Sequence, residues 1–225
     1  MGASVWQRVL GDRFDALDPG LRVYFARPGA GLRGEGSGVY DEAGLRRRLL
    51  RPLLRLVAPA GVLFPEHGRD VAFTVTNTTD PDGTLRGRRT FAFPGRERVM
   101  VDAMTVEHGR LVDTLGHRGL LVVRLAVDVD GVGALVMRSD RLHLRLGRLR
   151  VPLPPVARLD LRESRDAVPR HGATVPDAES GPQRVEVTLC SPLVGVWFRY
   201  AGTFRYRLAA EPPVSTSDRP PAPSR

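Results

Sequence analysis

From about Val71 to Leu208 apolar and polar residues alternate in short runs broken by turn residues, the two-residue period of strands with one buried face. Val71, Phe73 and Val75 open the pattern, and Asp80-Pro81-Asp82-Gly83 turns it into Leu85–Phe93. Pro94-Gly95 leads to Arg98–Glu107, and His108-Gly109 turns into Arg110–Leu115. Leu120–Val129 ends at Asp130-Gly131, and Leu135–Arg138, Arg141–Leu146 and Leu149–Leu153 follow. Across Gly147 the apolar parity flips, which requires a bulge or a tight turn. Ala157–Ser164, Arg184–Cys190, Gly195–Tyr200 and Thr203–Leu208 bring the expected total to roughly nine to eleven strands. Links this short allow only antiparallel neighbours. The predicted fold is therefore mainly β with N-terminal helices: a large antiparallel β-barrel or a strongly curved sheet. No repeat of fixed period is visible, which argues against a propeller.

The chain reads as one β-rich domain over 1–210, with a helical section at 1–66, the sheet at 67–210 and a disordered tail at 211–225. Trp6, Val9 and Leu10 share a helical face, followed by Phe14 and Leu17, before Asp18-Pro19-Gly20 breaks the run. Ala43–Ala58 is the second helical stretch, kinked at Pro52, with Leu45, Leu49, Leu53, Leu56 and Val57 on one stripe. Arg46, Arg47, Arg48, Arg51 and Arg55 lie largely off that stripe, so leucines packed on the sheet with arginines in water is the expected arrangement. The same sequence pattern would suit a helix lying on an anionic membrane; that peripheral contact is the minor reading.

Composition narrows the classes. Apolar residues make up 42% of 225, enough for a substantial core. The formal charge of +9 suggests nucleic acid, but all 34 basic residues are arginine, as GC-rich codon usage in a high-GC bacterium would produce. The arginines are spread along the chain with few interleaved aromatics, so no specific nucleic-acid partner is expected. One cysteine, Cys190, excludes an internal disulfide and sits in a strand pattern. The N-terminal residues carry no apolar leader core, which makes the cytoplasm the expected location.

Chemical motifs reduce to simpler readings. Gly29-Ala30-Gly31-Leu32-Arg33-Gly34 has dinucleotide-binding spacing, but the glycines continue through Gly36 and Gly38 and no βαβ unit follows. A flexible loop is expected there, and no cofactor. Asp128-Val129-Asp130-Gly131 lacks the remaining ligands of a calcium loop. The five histidines show no metal spacing, and Ser37 is not in a nucleophile elbow.

The most informative signal is polar residues on apolar parity. Arg89 shares a strand face with Phe91 and Phe93, and Asp113 with Leu111 and Leu115. Glu163 shares one with Leu159 and Leu161, and Tyr200 with Val196 and Phe198. If these faces point inward, the polar groups must pair with one another or surround a wet cavity, because unpaired burial costs several kcal/mol, roughly 2–7 for a single polar group. At strand ends they would instead reach solvent at the rim.

The chain also resembles the uncharacterised bacterial family known as domain of unknown function 4166, over roughly residues 6–208. The likeness is carried by Val9-Leu10-Gly11 with Phe14, Leu17 and Pro19, by Gly61-Val62-Leu63-Phe64-Pro65, and by Arg89-Thr90-Phe91. It continues through Gly109-Arg110-Leu111-Val112-Asp113, Val151-Pro152-Leu153-Pro154 and Pro192-Leu193-Val194-Gly195, closing at Tyr200-Ala201-Gly202. Many members of that family show Glu where Asp113 stands, so the acid is shorter here. The resemblance implies a domain that sometimes follows oxidoreductase-type domains in longer chains, and no agreed activity.

The leading expectation is non-catalytic binding of a small apolar or amphipathic ligand inside the barrel, with Phe91, Phe93, Val196 and Phe198 as apolar wall and Arg89, Asp113, Glu163 and Tyr200 at its polar end. The alternatives are an enzyme using Asp113 or Glu163 as general base near Arg89, and an accessory domain for an oxidoreductase partner. An exposed apolar patch on the helices would favour the accessory reading over a pocket.

Overall fold

Alternation becomes a closed surface. In the computed structural model, which describes residues 2–153, 157–165 and 182–211, eleven strands form one sheet and every pairing is antiparallel. They are β1 (Leu32–Leu45), β2 (His67–Thr79), β3 (Leu85–Phe93), β4 (Arg96–Glu107), β5 (Arg110–Leu115) and β6 (Leu121–Val129). Then come β7 (Leu135–Leu146), β8 (Leu149–Pro152), β9 (Arg158–Arg165), β10 (Gln183–Ser191) and β11 (Gly195–Ala210). Around the ring each strand lies beside its sequence neighbour, except that β7 pairs with β9, and β1 pairs with β11 to return the circuit. Because β6 also pairs with β7, ten strands close into a barrel and β8 hangs from β7 outside the ring. Closure removes the sheet edges that an open curved sheet would leave.

Four sequence expectations are corrected. The glycine-rich segment read as a loop is β1, the first wall strand, so the barrel starts at Leu32 inside the section read as helical. Glycine is a poor strand former by itself; here its missing side chain is what the neighbours need. A Cβ on Gly34 would stand 1.6 Å from the Tyr206 hydroxyl, and one on Gly36 would stand 2.6 Å from Val75 Cγ1. Second, Asp18-Pro19-Gly20 begins a helix. The Asp18 carboxylate accepts from Gly20 N, and Pro19 takes the first position of α2 (Pro19–Phe25), where its missing N–H costs nothing. Third, Thr203–Leu208 is not a separate strand. Gly202 lies inside β11, where a Cβ would meet Val39 O at 2.2 Å, so it marks close approach to β1 and not a turn. Similarly, β7 runs unbroken past a bulge at Asp140, where two strands were expected. The parity flip at Gly147 is a tight turn, with Leu146 paired to Leu149 and Gly147 at φ +62°. The tail expected to be disordered lies, from 212 onward, outside the described residues.

Helices fill both ends of the barrel. The first, α1 (Val5–Leu10), starts at a capping box in which Ser4 and Gln7 satisfy each other's backbone N–H groups. Its Val5, Trp6 and Leu10, with Leu17, Leu21 and Phe25, pack against Met104, Leu111, Val123, Leu125, Leu135 and Met137. At the opposite end α3 (Arg51–Val57) inserts Leu54 beside Leu45 and Phe64, over Phe91, Phe93 and Phe198. Phe64 sits 4.8 Å from the Phe91 ring and 5.1 Å from the Phe198 ring, and Tyr40 stacks on Phe73 at 3.8 Å. Each such ring, fully buried, contributes about 1.5–3 kcal/mol. Between these two plugs lies a polar layer.

Candidate ligand-binding site

The polar layer is written across adjacent strands. On β3 and β4 the register places Arg89 opposite Met100 and Gly87 opposite Asp102. On β4 and β5 it places Met104 opposite Asp113. Arg89, Asp102 and Asp113 therefore lie on a diagonal of inward positions. Arg89 donates to Asp102 in an ion pair in which the carboxylate side chain is 2% exposed. Gly87 makes room for it: a Cβ there would come within 2.6 Å of Asp102 Oδ2. Asp113, one strand further, is buried, and its Oδ1 has no hydrogen-bond partner among the described residues. Burial pushes its pKa well above the ordinary range, the Asp102 charge pushes the same way, and Arg89 pulls against both. One arginine faces two carboxyls here, and it pairs with Asp102, so burial favours the neutral form of Asp113.

Glu163 enters from β9, between Leu135 of β7 and Val185 of β10. It is buried, and its Oε2 has no partner among the described residues. Burial raises its pKa to about 7, with Arg89 opposing. Tyr24 of α2 and Tyr206 of β11 meet edge to face at 4.5 Å, and Asn77 of β2 lies beside both hydroxyls, favouring their charged form against burial. Burial pushes the Tyr200 and Tyr206 phenols up to about 12, so both stay neutral.

Arg89, Asp102, Glu163, Tyr24, Asn77 and Tyr206 line a cavity of about 40 Å³, walled on its apolar side by Trp6, Met104, Met137 and Leu161. That is room for about three waters. The Arg89 side chain keeps 18% of its surface accessible and lines this cavity. Ala26–Pro28, just after α2, and Thr79 with Gly83 at the β2–β3 turn also line it.

Of the residues expected from sequence, Arg89 and Glu163 line the cavity, while Asp113 and Tyr200 are buried in the barrel away from its lining. Phe91, Phe93 and Phe198 are inside the barrel but packed under α3, in the aromatic half. Val196 does not join them. A bulge pairs it with Cys190, on the parity opposite to Leu189 and Phe198, so it faces outward and Trp197 is buried instead. The sequence reading missed Asp102, Tyr24, Asn77 and Tyr206. Asp102 shares parity with Met100 and Met104, Asn77 with Phe73 and Val75, and Tyr206 with Phe204, so alternation alone marks these three. Tyr24 required reading Asp18-Pro19 as a helix start.

Among the described residues no cluster of three or more His, Cys, Asp and Glu side chains could hold a metal ion. The arrangement can accept and donate hydrogen bonds to one small polar group, and near neutral pH Glu163 can give or take a proton.

The chain is 27% identical to the uncharacterized protein YndH of Bacillus subtilis (strain 168) over 179 residues, 76% of this chain and 82% of the relative. No solved structure matches it. The family described as "Domain of unknown function (DUF4166)" matches residues 17–204, from the last turn before α2 to the inward Phe204 of β11, and the chain belongs to that family.

Proposed function

We propose that the barrel binds a small amphipathic molecule, entering beside Tyr24, whose polar group is received by Arg89 and Glu163 and whose apolar part rests on Trp6, Met104, Met137 and Leu161. The observation that carries this is the unpartnered Glu163 Oε2 on the wall of a cavity that also holds Arg89. An unsatisfied buried oxygen costs about 1–3 kcal/mol, which a donor on a ligand or a water recovers. The packed aromatic half beneath α3 leaves no room for a long chain, so the ligand is a compact molecule with few apolar carbons. Anything larger than a few waters requires α2 to shift. Native mass spectrometry of the purified chain tests this. The expected result is a small adduct lost in Arg89→Met and Glu163→Gln. A bare mass under gentle conditions, with no thermal shift across a panel of small acids, amides and alcohols, overturns it.

A second reading is favoured by one feature, the pKa of about 7 on Glu163. A carboxyl poised there beside bound ligand is suited to general acid–base work. Asp113 is not, because it does not line the cavity. Conversion of the bound molecule by the parent chain, with binding but no conversion by Glu163→Gln, would decide for an enzyme. Unchanged ligand recovered from the parent chain would decide against it.

A further inference from the structure

The helix that plugs one barrel end has two apolar faces, and the barrel uses only one. Leu50, Leu54 and Val57 turn inward, and Leu54 is buried. Leu49, in the 3-10 turn that leads into α3, and Leu53 and Leu56 of α3 stand outside that packing and are 69%, 58% and 79% exposed. The expected packing of the whole leucine stripe on the sheet is therefore not what the chain does; α3 docks edge-on and leaves half of its apolar surface in water. Leu193, 90% exposed, projects from the β10–β11 turn, which is tied to the same end by Arg47 Nε donating to Val194 O at 3.1 Å. Exposed large apolar groups gathered at one end of a barrel mark a contact surface.

Charge identifies what it contacts. Residues 45–65 contain five arginines and no acidic residue. Arg48, in the turn before α3, and Arg51 and Arg55 of α3 are exposed and make no ion pair among the described residues. The nearest acids are committed elsewhere: Glu42 to Arg46, His67 and Arg199, and Glu66 to Arg96 and Arg98. We propose that this end of the barrel docks on an anionic lipid bilayer, with Leu49, Leu53, Leu56 and Leu193 entering the acyl boundary and Arg48, Arg51 and Arg55 meeting the headgroup phosphates. Such binding scales with the apolar area inserted and with charge, each basic residue near the surface contributing roughly fivefold in affinity. No helix among the described residues is long and apolar enough to cross a membrane, and the contact proposed is a peripheral one.

Co-sedimentation of the full chain with phosphatidylcholine vesicles, with and without phosphatidylserine, tests the proposal. The parent chain is expected to pellet with the mixed vesicles and not with phosphatidylcholine alone, and to be released as salt rises above about 0.1 M. The Leu49→Ser, Leu53→Ser, Leu56→Ser triple variant should lose about tenfold or more in affinity with an unchanged thermal midpoint, since the leucines are already in water. The Arg48→Glu, Arg51→Glu, Arg55→Glu variant should not bind. Removing three exposed arginines from the barrel wall instead, Arg88→Ser, Arg118→Ser and Arg145→Ser, should leave binding nearly intact. Failure of the parent chain to bind mixed vesicles overturns the proposal, as does equal loss from the wall variant, which would reduce the effect to net charge. Full binding by the leucine variant also overturns it. If the parent chain ignores vesicles but self-associates, or captures a protein, through the same leucines, the surface serves that partner and not a bilayer.

Discussion

Arg89 reaches diagonally across the β3–β4 ladder to Asp102 and leaves Asp113, one strand beyond, without the cation. Parity predicts Arg89 and Asp113 on one interior surface, and both are there, but the acid that pairs is the one between them. The two carboxyls should therefore respond differently to the same substitution. Asp102→Asn strands the Arg89 charge in the barrel and should cost ~3–5 kcal/mol, with Arg89→Met costing a similar amount and the double variant recovering part of the loss. Asp113→Asn replaces a carboxyl whose neutral form burial already favours and should stay within ~1 kcal/mol of the parent. Denaturant melts at neutral pH measure all four. Equal losses at positions 102 and 113 would remove the assignment of the charge to the Arg89–Asp102 pair.

Gly34 and Tyr206 are coupled through space. Gly34→Ala puts a methyl where the phenol lies, so the ring must leave Asn77 and Tyr24 or the β1–β11 pairing must widen. Overpacking of this kind costs ~1–3 kcal/mol. In the Tyr206→Ala background the space is empty, and Gly34→Ala should then cost little. Additive losses in the two backgrounds would show that the glycine is required for the backbone and not for the ring.

Tyr24 closes the cavity from outside the sheet. Tyr24→Phe keeps the ring contacts to Phe25, Phe204 and Tyr206 and removes the hydroxyl from Asn77. Losing the buried hydroxyl beside Asn77 should cost ~1 kcal/mol at most and leave the fold intact. Tyr24→Ala should cost ~3–5 kcal/mol by cavity formation, yet speed entry of any ligand beside α2. Stopped-flow binding with whichever molecule the native mass spectrum identifies would show it; an unchanged on-rate would place the entrance elsewhere.

These features were unequally visible in the linear chain. Alternation reports inward and outward positions strand by strand, which is why Arg89, Asp113 and Glu163 could be placed inside before any fold was known. It does not report which inward acid meets an inward base, because that depends on the diagonal offset between strands and on Gly87 yielding space to Asp102. The glycines of β1 look like a loop because their reason for being small lies on β11 and β2, well over a hundred and about forty residues away. The helix read over Ala43–Ala58 begins only at Arg51, because Ala43–Leu45 belong to β1. Of its expected inward stripe Leu49, Leu53 and Leu56 stay in water, while Leu54, off that stripe, is the buried one. Val196 was misplaced by a single bulge, since one extra residue reverses parity.

Glu163 makes the barrel's stability depend on pH in a direction opposite to most carboxylates. Its pKa is about 7 in the folded chain, because burial disfavours the charge, against 4.5 for a solvated glutamate. The folded state thus keeps the proton over a range in which the unfolded state has released it. Where the folded state binds more protons, unfolding free energy falls as pH rises. The contribution is fully present below pH 4.5 and is lost as pH climbs through 7, for a total of ~3 kcal/mol at about 1.4 kcal/mol per pKa unit. Asp113, also raised by burial, adds to the same trend. Glu42, Glu66, Asp130 and Asp160 act in the opposite sense at lower pH. Partial burial opposes their ionisation, but hydrogen bonds and neighbouring cations outweigh it and hold them below the ordinary range. Their contribution is lost as pH falls through that depressed range. Maximum stability should accordingly lie on the mildly acidic side of neutral. Glu163→Gln cannot ionise, so it should match the parent chain near pH 5, exceed it near pH 8, and flatten the slope between. If denaturant midpoints of parent and variant run parallel across that interval, Glu163 is solvated in solution and the cavity at its carboxylate is open to bulk water.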